Sequence, residues 1–372
     1  MGLEAWIQRA WARPGGAADV FLWPLLLLSG LYGTVVAVRA AAFRAGVLRS
    51  RRLPVAVISV GNLAVGGTGK TPFTIHLARA IQARGLGVGI LTRGYGGSNE
   101  GKGPLLVGDG ESVLAGPDEA GDEAVLLARS LPGVPVVACA DRYAGGTCLL
   151  ASGPVDVILL DDGFQHLALA RDADVVLVDG KLPFGNGFVL PRGPLREPPS
   201  ALARAHLIVV RADDGVDPGQ ARRLGALTGA PVVGAGLHVT GVVDGAGKPV
   251  DLPPGAPVYG VCGIGRPERF RHTLSGMAVK LTGFQAFPDH AAYGAATVAE
   301  VAARATESGA RAVVTTEKDA VKLAPLWSEA IPLWVVRVGL EVSGGADWVE
   351  GLLASTNRRF SETVAADPHP DE

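Results

Sequence analysis

The sequence predicts an α/β protein: a doubly wound, mostly parallel sheet, then a second, smaller α/β domain, with an apolar N-terminal helix ahead of both. Three observations carry this reading. Short β-branched runs alternate with helical stretches through most of the chain. One of those runs leads through a glycine-rich loop into a helix. Residues 20–38 contain no charged side chain at all.

The first β-branched run is Pro54-Val55-Ala56-Val57-Ile58-Ser59-Val60. Others follow at residues 87–92, 134–139, 155–160, 174–179 and 206–210. After about Val233 the pattern breaks into Gly-, Pro- and Asp-rich sequence, and a new alternation begins at residue 257. That second series has strands expected at 257–262, 278–281, 312–315 and 332–338, and helices at 267–274 and 298–307. The expected domains are therefore 1–45 (apolar helix), 46–236 (nucleotide-binding α/β), 237–356 (smaller α/β) and a disordered polar tail, 357–372.

Composition narrows the class. The 372 residues suffice for two domains, and 48% hydrophobic with 19% charged residues describes a chain that can bury a core. A net charge of −2 offers no bulk attraction to nucleic acid, so no nucleic-acid partner is expected. Cys139, Cys148 and Cys262 form no CxxC pair, which fits a reduced cytoplasmic compartment.

The N-terminal apolar run sits at the lower edge of spanning length and is diluted by Pro24, Gly30 and Gly33. Arg9 and Arg13 precede it; Arg39, Arg44, Arg49, Arg51 and Arg52 follow. Positive charge on both flanks opposes translocation of either side. A signal peptide and a buried core helix are the competing readings. The preferred one is a membrane-associated helix lying in the cytoplasmic leaflet, held by apolar burial and by arginine attraction to anionic lipid.

The loop Gly66-Gly67-Thr68-Gly69-Lys70-Thr71 has a buried strand before it and a helical pattern after it, the context a P-loop requires. Glycines let backbone N–H groups approach phosphate oxygens, and the helix N-terminus adds partial positive charge. Lys70 would reach the β- and γ-phosphates of ATP, and the Thr71 hydroxyl would ligate Mg²⁺. The first glycine of the usual spacing falls on Ala64, a departure. The run Val157-Ile158-Leu159-Leu160 ends in Asp161-Asp162, two carboxylates placed as in a Walker B strand and expected near the metal. By itself, His166 reads as a structural histidine, Asp122 as a solvated helix start, and His290 as a loop residue.

The motifs then combine. Val60-Gly61-Asn62-Leu63 before the loop, Leu91-Thr92-Arg93-Gly94-Tyr95, Asp161-Asp162-Gly163-Phe164-Gln165-His166, Leu195-Arg196-Glu197-Pro198, Phe287-Pro288-Asp289-His290 and Thr316-Glu317-Lys318-Asp319 together resemble the tetraacyldisaccharide 4′-kinases of lipid A synthesis. That resemblance runs to about residue 340. It implies transfer of the ATP γ-phosphoryl group to the 4′-hydroxyl of a lipid A disaccharide precursor, by a peripheral enzyme on the cytoplasmic face of the inner membrane. It also implies two α/β domains flanking a cleft, with Asp122 as base for the sugar hydroxyl and His290 acting with it. Because those two residues fall in different expected domains, domain closure is the expected way of assembling the pair.

A P-loop GTPase is the rival from another class, but guanine recognition needs Asn-Lys-x-Asp, and Thr316-Glu317-Lys318-Asp319 has the wrong spacing. A kinase or ligase for a soluble substrate would have no use for the apolar helix. By themselves Arg93, Arg142 and Arg196 read as surface salt-bridge residues, though the phosphates of ATP and of a disaccharide 1-phosphate both need guanidinium or ammonium partners.

Overall fold

The computed structural model describes residues 7, 10, 11, 22–212, 215–343 and 347–366, with side chains described through residue 356. In chain order the elements are α1 (Leu26–Arg44), β1 (Ala56–Asn62), α2 (Lys70–Gln82), β2 (Val88–Thr92), β3 (Leu105–Gly108), α3 (Asp122–Ser130), β4 (Val136–Ala138) and α4 (Arg142–Ala151). Next come β5 (Val157–Asp161), β6 (Ala173–Asp179), β7 (Leu207–Arg211), α5 (Pro218–Thr228), β8 (Val232–Asp244), β9 (Pro257–Cys262) and α6 (Pro267–Gly276). The last are β10 (Lys280–Ala286), α7 (Ala295–Glu307), β11 (Ala312–Thr316), α8 (Glu317–Leu323), β12 (Leu333–Val342) and α9 (Asp347–Ala366).

The chain divides into two compact units. The first comprises Met1–Arg93, Asp141–Gly236 and Glu341–Glu372. Its sheet runs β8-β7-β6-β1-β5-β2, counting only the opening residues of β8, and every recorded pairing is parallel. β5 and β6 are buried along their whole length, which is why they read as unbroken apolar runs rather than as alternation. α2 buries Phe73, Leu77 and Ile81, spaced by four, on one face. Each such side chain contributes roughly 1.5–3 kcal/mol by leaving water.

α9 closes this unit. Its Val349 and Leu352 are buried, and the Trp348 ring lies 5.7 Å from Phe73 and stacks on His76 at 6.1 Å. The tail expected to be disordered from Asn357 is thus helical as far as Ala366, while residues 367–372 lie outside the described residues. The polar composition from Asn357 onward concealed a helix whose apolar anchor, Trp348 to Leu352, lies just upstream.

The second unit comprises Gly94–Ala140 and Leu237–Leu340. Its strands β10-β9-β11-β12 form a parallel set, and β3 pairs antiparallel with β4. Two buried clusters fill it, one around Val258, Leu274 and Trp334, the other around Val261, Val301 and Val313.

The boundary therefore differs from the continuous split at residue 236. Residues 94–140 group with the later α/β segment, and α9 groups with the first unit. The physical reason is the packing of α3 on α8, where Asp122 pairs with Lys322 at 3.0 Å and Glu123 with Lys318 at 3.4 Å. Composition along the chain carries no trace of that excursion.

Candidate active site

In the first unit, the carboxyl ends of β1, β5, β6 and β7 come level: Val60 pairs in register with Asp161, Asn62 with Leu177, and Asp179 with Arg211. Ligand sites of open parallel sheets form at such ends. The glycine loop leaves β1 here. Gly66 and Gly69 have φ of +107° and +86°, the left-handed region that disfavours other residues, and Gly69 caps α2 so that Lys70 starts the helix. Pro72 costs nothing in the first turn, where its missing N–H would have no helical acceptor.

Ala64 now has an explanation. Residues 63–65 run as a ribbon beside 194–196, with Val65 N–H donating to Pro194 O at 2.8 Å and Arg196 N–H to Leu63 O at 2.7 Å. The loop's first half is extended rather than turned, so no glycine is needed there. The Asn62 side chain braces the second half, donating to Ala64 O at 2.6 Å and to Thr68 Oγ1 at 3.0 Å.

Lys70 Nζ meets Asn62 Oδ1 at 3.4 Å and Asp162 Oδ1 at 3.6 Å. The Thr71 hydroxyl lies 3.5 Å from Asp161 Oδ2, and Thr74 Oγ1 donates to Asp161 Oδ1 at 2.9 Å. The two aspartates differ in company. Arg196 Nη1 donates to both oxygens of Asp162, at 2.8 and 2.9 Å. Burial pulls the Asp162 carboxyl upward, but the charges of Lys70 and Arg196 outweigh it and hold the group below the usual carboxylate range. Gln165 and Glu197 extend the network: Gln165 Nε2 donates to Asn62 O at 3.0 Å and to Glu197 Oε1 at 3.1 Å, and Arg204 grips Glu197 at 2.9 Å. His166 is held neutral, pushed down to about 4 by burial and by Arg142, Arg171 and Arg39.

Gly61 shows how tightly the Asp161–Gln165 turn closes on β1. A Cβ there would sit 2.5 Å from Phe164 Cβ and 2.9 Å from its backbone N. Gly61→Ala is expected to cost about 1–3 kcal/mol or more by overpacking. Thermal denaturation checks it, and an unchanged midpoint would contradict this packing.

In the second unit Asp122 begins α3 and is 4% exposed. His290 Nδ1 lies 3.0 Å from Asp122 Oδ1 and 3.2 Å from Oδ2, a contact across 168 positions of sequence. Lys322 Nζ lies 3.0 Å from Asp122 Oδ2, and Glu123 N–H donates to Oδ1 at 3.0 Å. Burial pulls the Asp122 carboxyl up, yet the His290 hydrogen bond and the charges of Lys318 and Lys322 prevail and hold it far below the usual range. The reciprocal hydrogen bond pushes His290 up, against burial and the Lys318 charge. His290 sits at φ +58°, in the left-handed region, and the Tyr95 ring meets its imidazole edge-on at 5.4 Å. Since both members belong to one compact unit, the pair is assembled without the domain closure expected from sequence.

The sequence-expected residues thus form two constellations. Gly66, Gly67, Thr68, Gly69, Lys70, Thr71, Asp161 and Asp162 belong to the first unit, Asp122 and His290 to the second. Asn62, Lys318 and Lys322 went unassigned in the sequence. Asn62 sits inside a quoted motif, and Lys318 and Lys322 lie four apart on one helix face, but nothing in the spacing says which carboxylate they meet.

A buried strand feeding a glycine loop and a lysine-threonine helix start, with an aspartate closing the adjacent parallel strand, puts the chain among the P-loop nucleotide-binding α/β proteins. The comparisons are narrower: the family model described as tetraacyldisaccharide-1-P 4'-kinase matches residues 21–357. The chain belongs to that family. A tetraacyldisaccharide 4'-kinase of Anaeromyxobacter sp. (strain Fw109-5) is 44% identical over 92% of this chain and 94% of its own length. One from Syntrophus aciditrophicus (strain SB) is 40% identical over 92% and 96%. Among solved structures, the "apo" form of LpxK from Aquifex aeolicus in complex with ATP superposes with a TM-score of 0.74 at 30% identity, covering 90% of this chain and 99% of that one.

Proposed function

We propose that this chain transfers the γ-phosphoryl group of ATP to the 4′-hydroxyl of a tetraacyldisaccharide 1-phosphate, a step of lipid A synthesis. The observation that carries the acceptor side is the buried Asp122–His290 pair. Family membership supports the acceptor's identity, and the strand–loop–helix geometry around Lys70 supports the donor.

The residues divide the work. Loop N–H groups and Lys70 hold the ATP phosphates, with the N-terminus of α2 adding its dipole. Thr71 Oγ1 and Asp161 Oδ2, a hydroxyl and a carboxylate 3.5 Å apart, are oxygen donors of the kind that would hold an Mg²⁺ ion. When bound, the ion supplies charge neutralisation on the β- and γ-phosphate oxygens. Asp162 is engaged by Arg196 at both oxygens, so its part is to hold Lys70 and Arg196 in place rather than to lead the coordination.

On the acceptor side the 4′-oxygen forms a bond to phosphorus as the bond from phosphorus to the ADP oxygen breaks. The hydroxyl proton passes to the Asp122–His290 pair late in the transfer, since a sugar hydroxyl is too weak an acid to ionise first. The buried carboxylate stays ionised and stabilises the imidazolium that results.

The apolar helix supports a membrane location at the cytoplasmic face of the inner membrane. Trp23–Arg44 is long and apolar enough to cross a bilayer, yet one side of it is docked on protein. Ser29 Oγ donates to Val189 O at 2.7 Å and Tyr32 OH to Arg196 O at 3.0 Å. Leu27, Leu31, Val35 and Val38 line the other side and are 58–83% exposed. One docked face and one bare apolar face describe a helix lying in the interface, where flanking arginines meet anionic headgroups. Replacing Leu27, Leu31 and Val35 by serine is expected to release the protein from phosphatidylglycerol vesicles without moving its melting temperature. Undiminished co-sedimentation would rule out this anchor.

The functional reading is tested by nucleotide turnover in detergent with and without the disaccharide precursor. Acceptor-dependent ADP release is expected; turnover indifferent to acceptor would remove the kinase assignment in favour of a switch ATPase.

A further inference from the structure

Lys318 belongs to a motif to which the phosphoryl-transfer scheme gives no part. It is the second residue of α8, and its ammonium, on a side chain 17% exposed, faces three groups. Asp289 Oδ1 accepts from it at 2.9 Å, Glu123 Oε1 at 3.4 Å, and His290 Nε2 lies at 3.4 Å. One turn on, Lys322 reaches Asp122 and donates to Ala291 O at 3.0 Å. The base of this helix is fixed from below by Asp319, 2% exposed, which accepts from Gly263 N–H at 3.0 Å, Tyr293 OH at 2.9 Å and Thr316 Oγ1 at 2.6 Å. An ammonium held this firmly is a preorganised charge rather than a wandering surface lysine.

An ammonium has only donors. Facing Nε2, it tolerates a lone pair there and repels an N–H. A lone pair on Nε2 of the neutral ring requires the hydrogen on Nδ1, the nitrogen turned to Asp122. We propose that Lys318 is a positioning residue for the Asp122–His290 pair, selecting the neutral imidazole with its Nδ1–H donated to Asp122 and resisting premature protonation of the ring. This inference rests on the reading of that pair as the proton acceptor. The charged and titratable groups around the ring are Asp122 and Lys322 on one side, Lys318, Glu123 and Asp289 on the other, with Tyr95 against its edge.

The direction of the pH effect follows. His290 is raised by Asp122, and Lys318 works against that rise. A ring that must be neutral to take a proton gives activity that climbs with pH through the folded His290 pKa, above the ordinary value of about 6.5. Removing the lysine charge moves the limb further up.

The test compares Lys318→Gln and Lys318→Arg with the unmodified enzyme in acceptor-saturated assays across pH, alongside ¹⁵N-histidine spectra of the imidazole tautomers. Lys318→Gln is expected to lose about tenfold in kcat near neutral pH, the deficit shrinking as pH rises, with KM for ATP unchanged and with Lys318→Arg restoring the limb. In the unmodified protein the His290 signals are expected to report Nδ1–H. A limb that stays put in Lys318→Gln, or an Nε2–H tautomer in the unmodified protein, overturns the inference even where Asp122→Asn abolishes turnover. If instead Asp122→Asn and His290→Gln turn over normally, the acceptor reading itself has failed. The tautomer measurement stands even if Lys318→Gln does not fold.

Discussion

Asp122→Asn is expected to lower kcat by about 10²–10⁴-fold, the usual contribution of positioned acid–base groups, while ATP binding persists. The amide keeps the shape of the carboxylate but loses the charge that His290 and Lys322 approach within 3.0 Å. Without it an imidazolium is no longer stabilised, and Lys322 is left beside a neutral partner. Some stability is lost too, since breaking one side of a buried pair strands the other charge. That loss has a pH signature. A carboxyl depressed in the fold stabilises at every pH above the ordinary carboxylate range, and its contribution disappears only as pH falls through the depressed value. The gap in melting temperature between parent and variant should therefore be widest between the ordinary carboxylate range and the raised His290 pKa, close in acid, and narrow as pH rises through the His290 pKa, where the imidazolium partner is lost. Normal turnover by a folded Asp122→Asn protein would remove Asp122 from the chemistry.

Lys70→Met is the second large effect. Lys70 Nζ lies between Asn62 Oδ1 and Asp162 Oδ1, both fixed by other partners, so its charge is aimed before any nucleotide arrives. Loss of one preorganised charge at transferring phosphates costs on the order of 10²–10³ in kcat. ATP affinity should fall as well, because ground-state phosphates meet the same ammonium. The fold should survive, since methionine preserves the aliphatic stem. Steady-state kinetics and isothermal titration with ATP separate the two effects. An unchanged kcat would mean that the loop serves some purpose other than phosphoryl transfer.

Much of the first unit is legible in the sequence because its signals are local. A strand buried on both faces must be continuously apolar, so β1, β5, β6 and β7 appear where Val and Ile cluster. The glycine loop announces itself through Gly69 and Lys70, which the geometry needs regardless of surroundings. What the sequence conceals is long-range. β3 is four residues paired antiparallel with a strand that lies beyond α3 in the chain, and β8 runs on into the Gly- and Pro-rich stretch that looks like a linker. The return of α9 to the first unit depends on Trp348 stacking on His76, a contact that no periodicity encodes.

The site divides in the same way. Lys70, Thr71 and Asp161 follow from strand and loop order. Asp122 and His290 come from the family resemblance alone, since each is an unremarkable loop or helix-start residue by itself. Their union depends on α3 packing against α8, which also draws in Lys318 and Lys322. Arg196 is the instructive case: by itself it reads as a salt-bridge residue, and it does pair with Asp162, but only the 194–196 ribbon beside the glycine loop decides which carboxylate it meets.

The most direct test of the account is transfer from [γ-³²P]ATP to purified tetraacyldisaccharide 1-phosphate in detergent, followed by assignment of the labelled position. The account predicts label on the 4′-oxygen, strictly dependent on acceptor and lost in Asp122→Asn and Lys70→Met. Label at another position, or release of inorganic phosphate without an acceptor product, would contradict it.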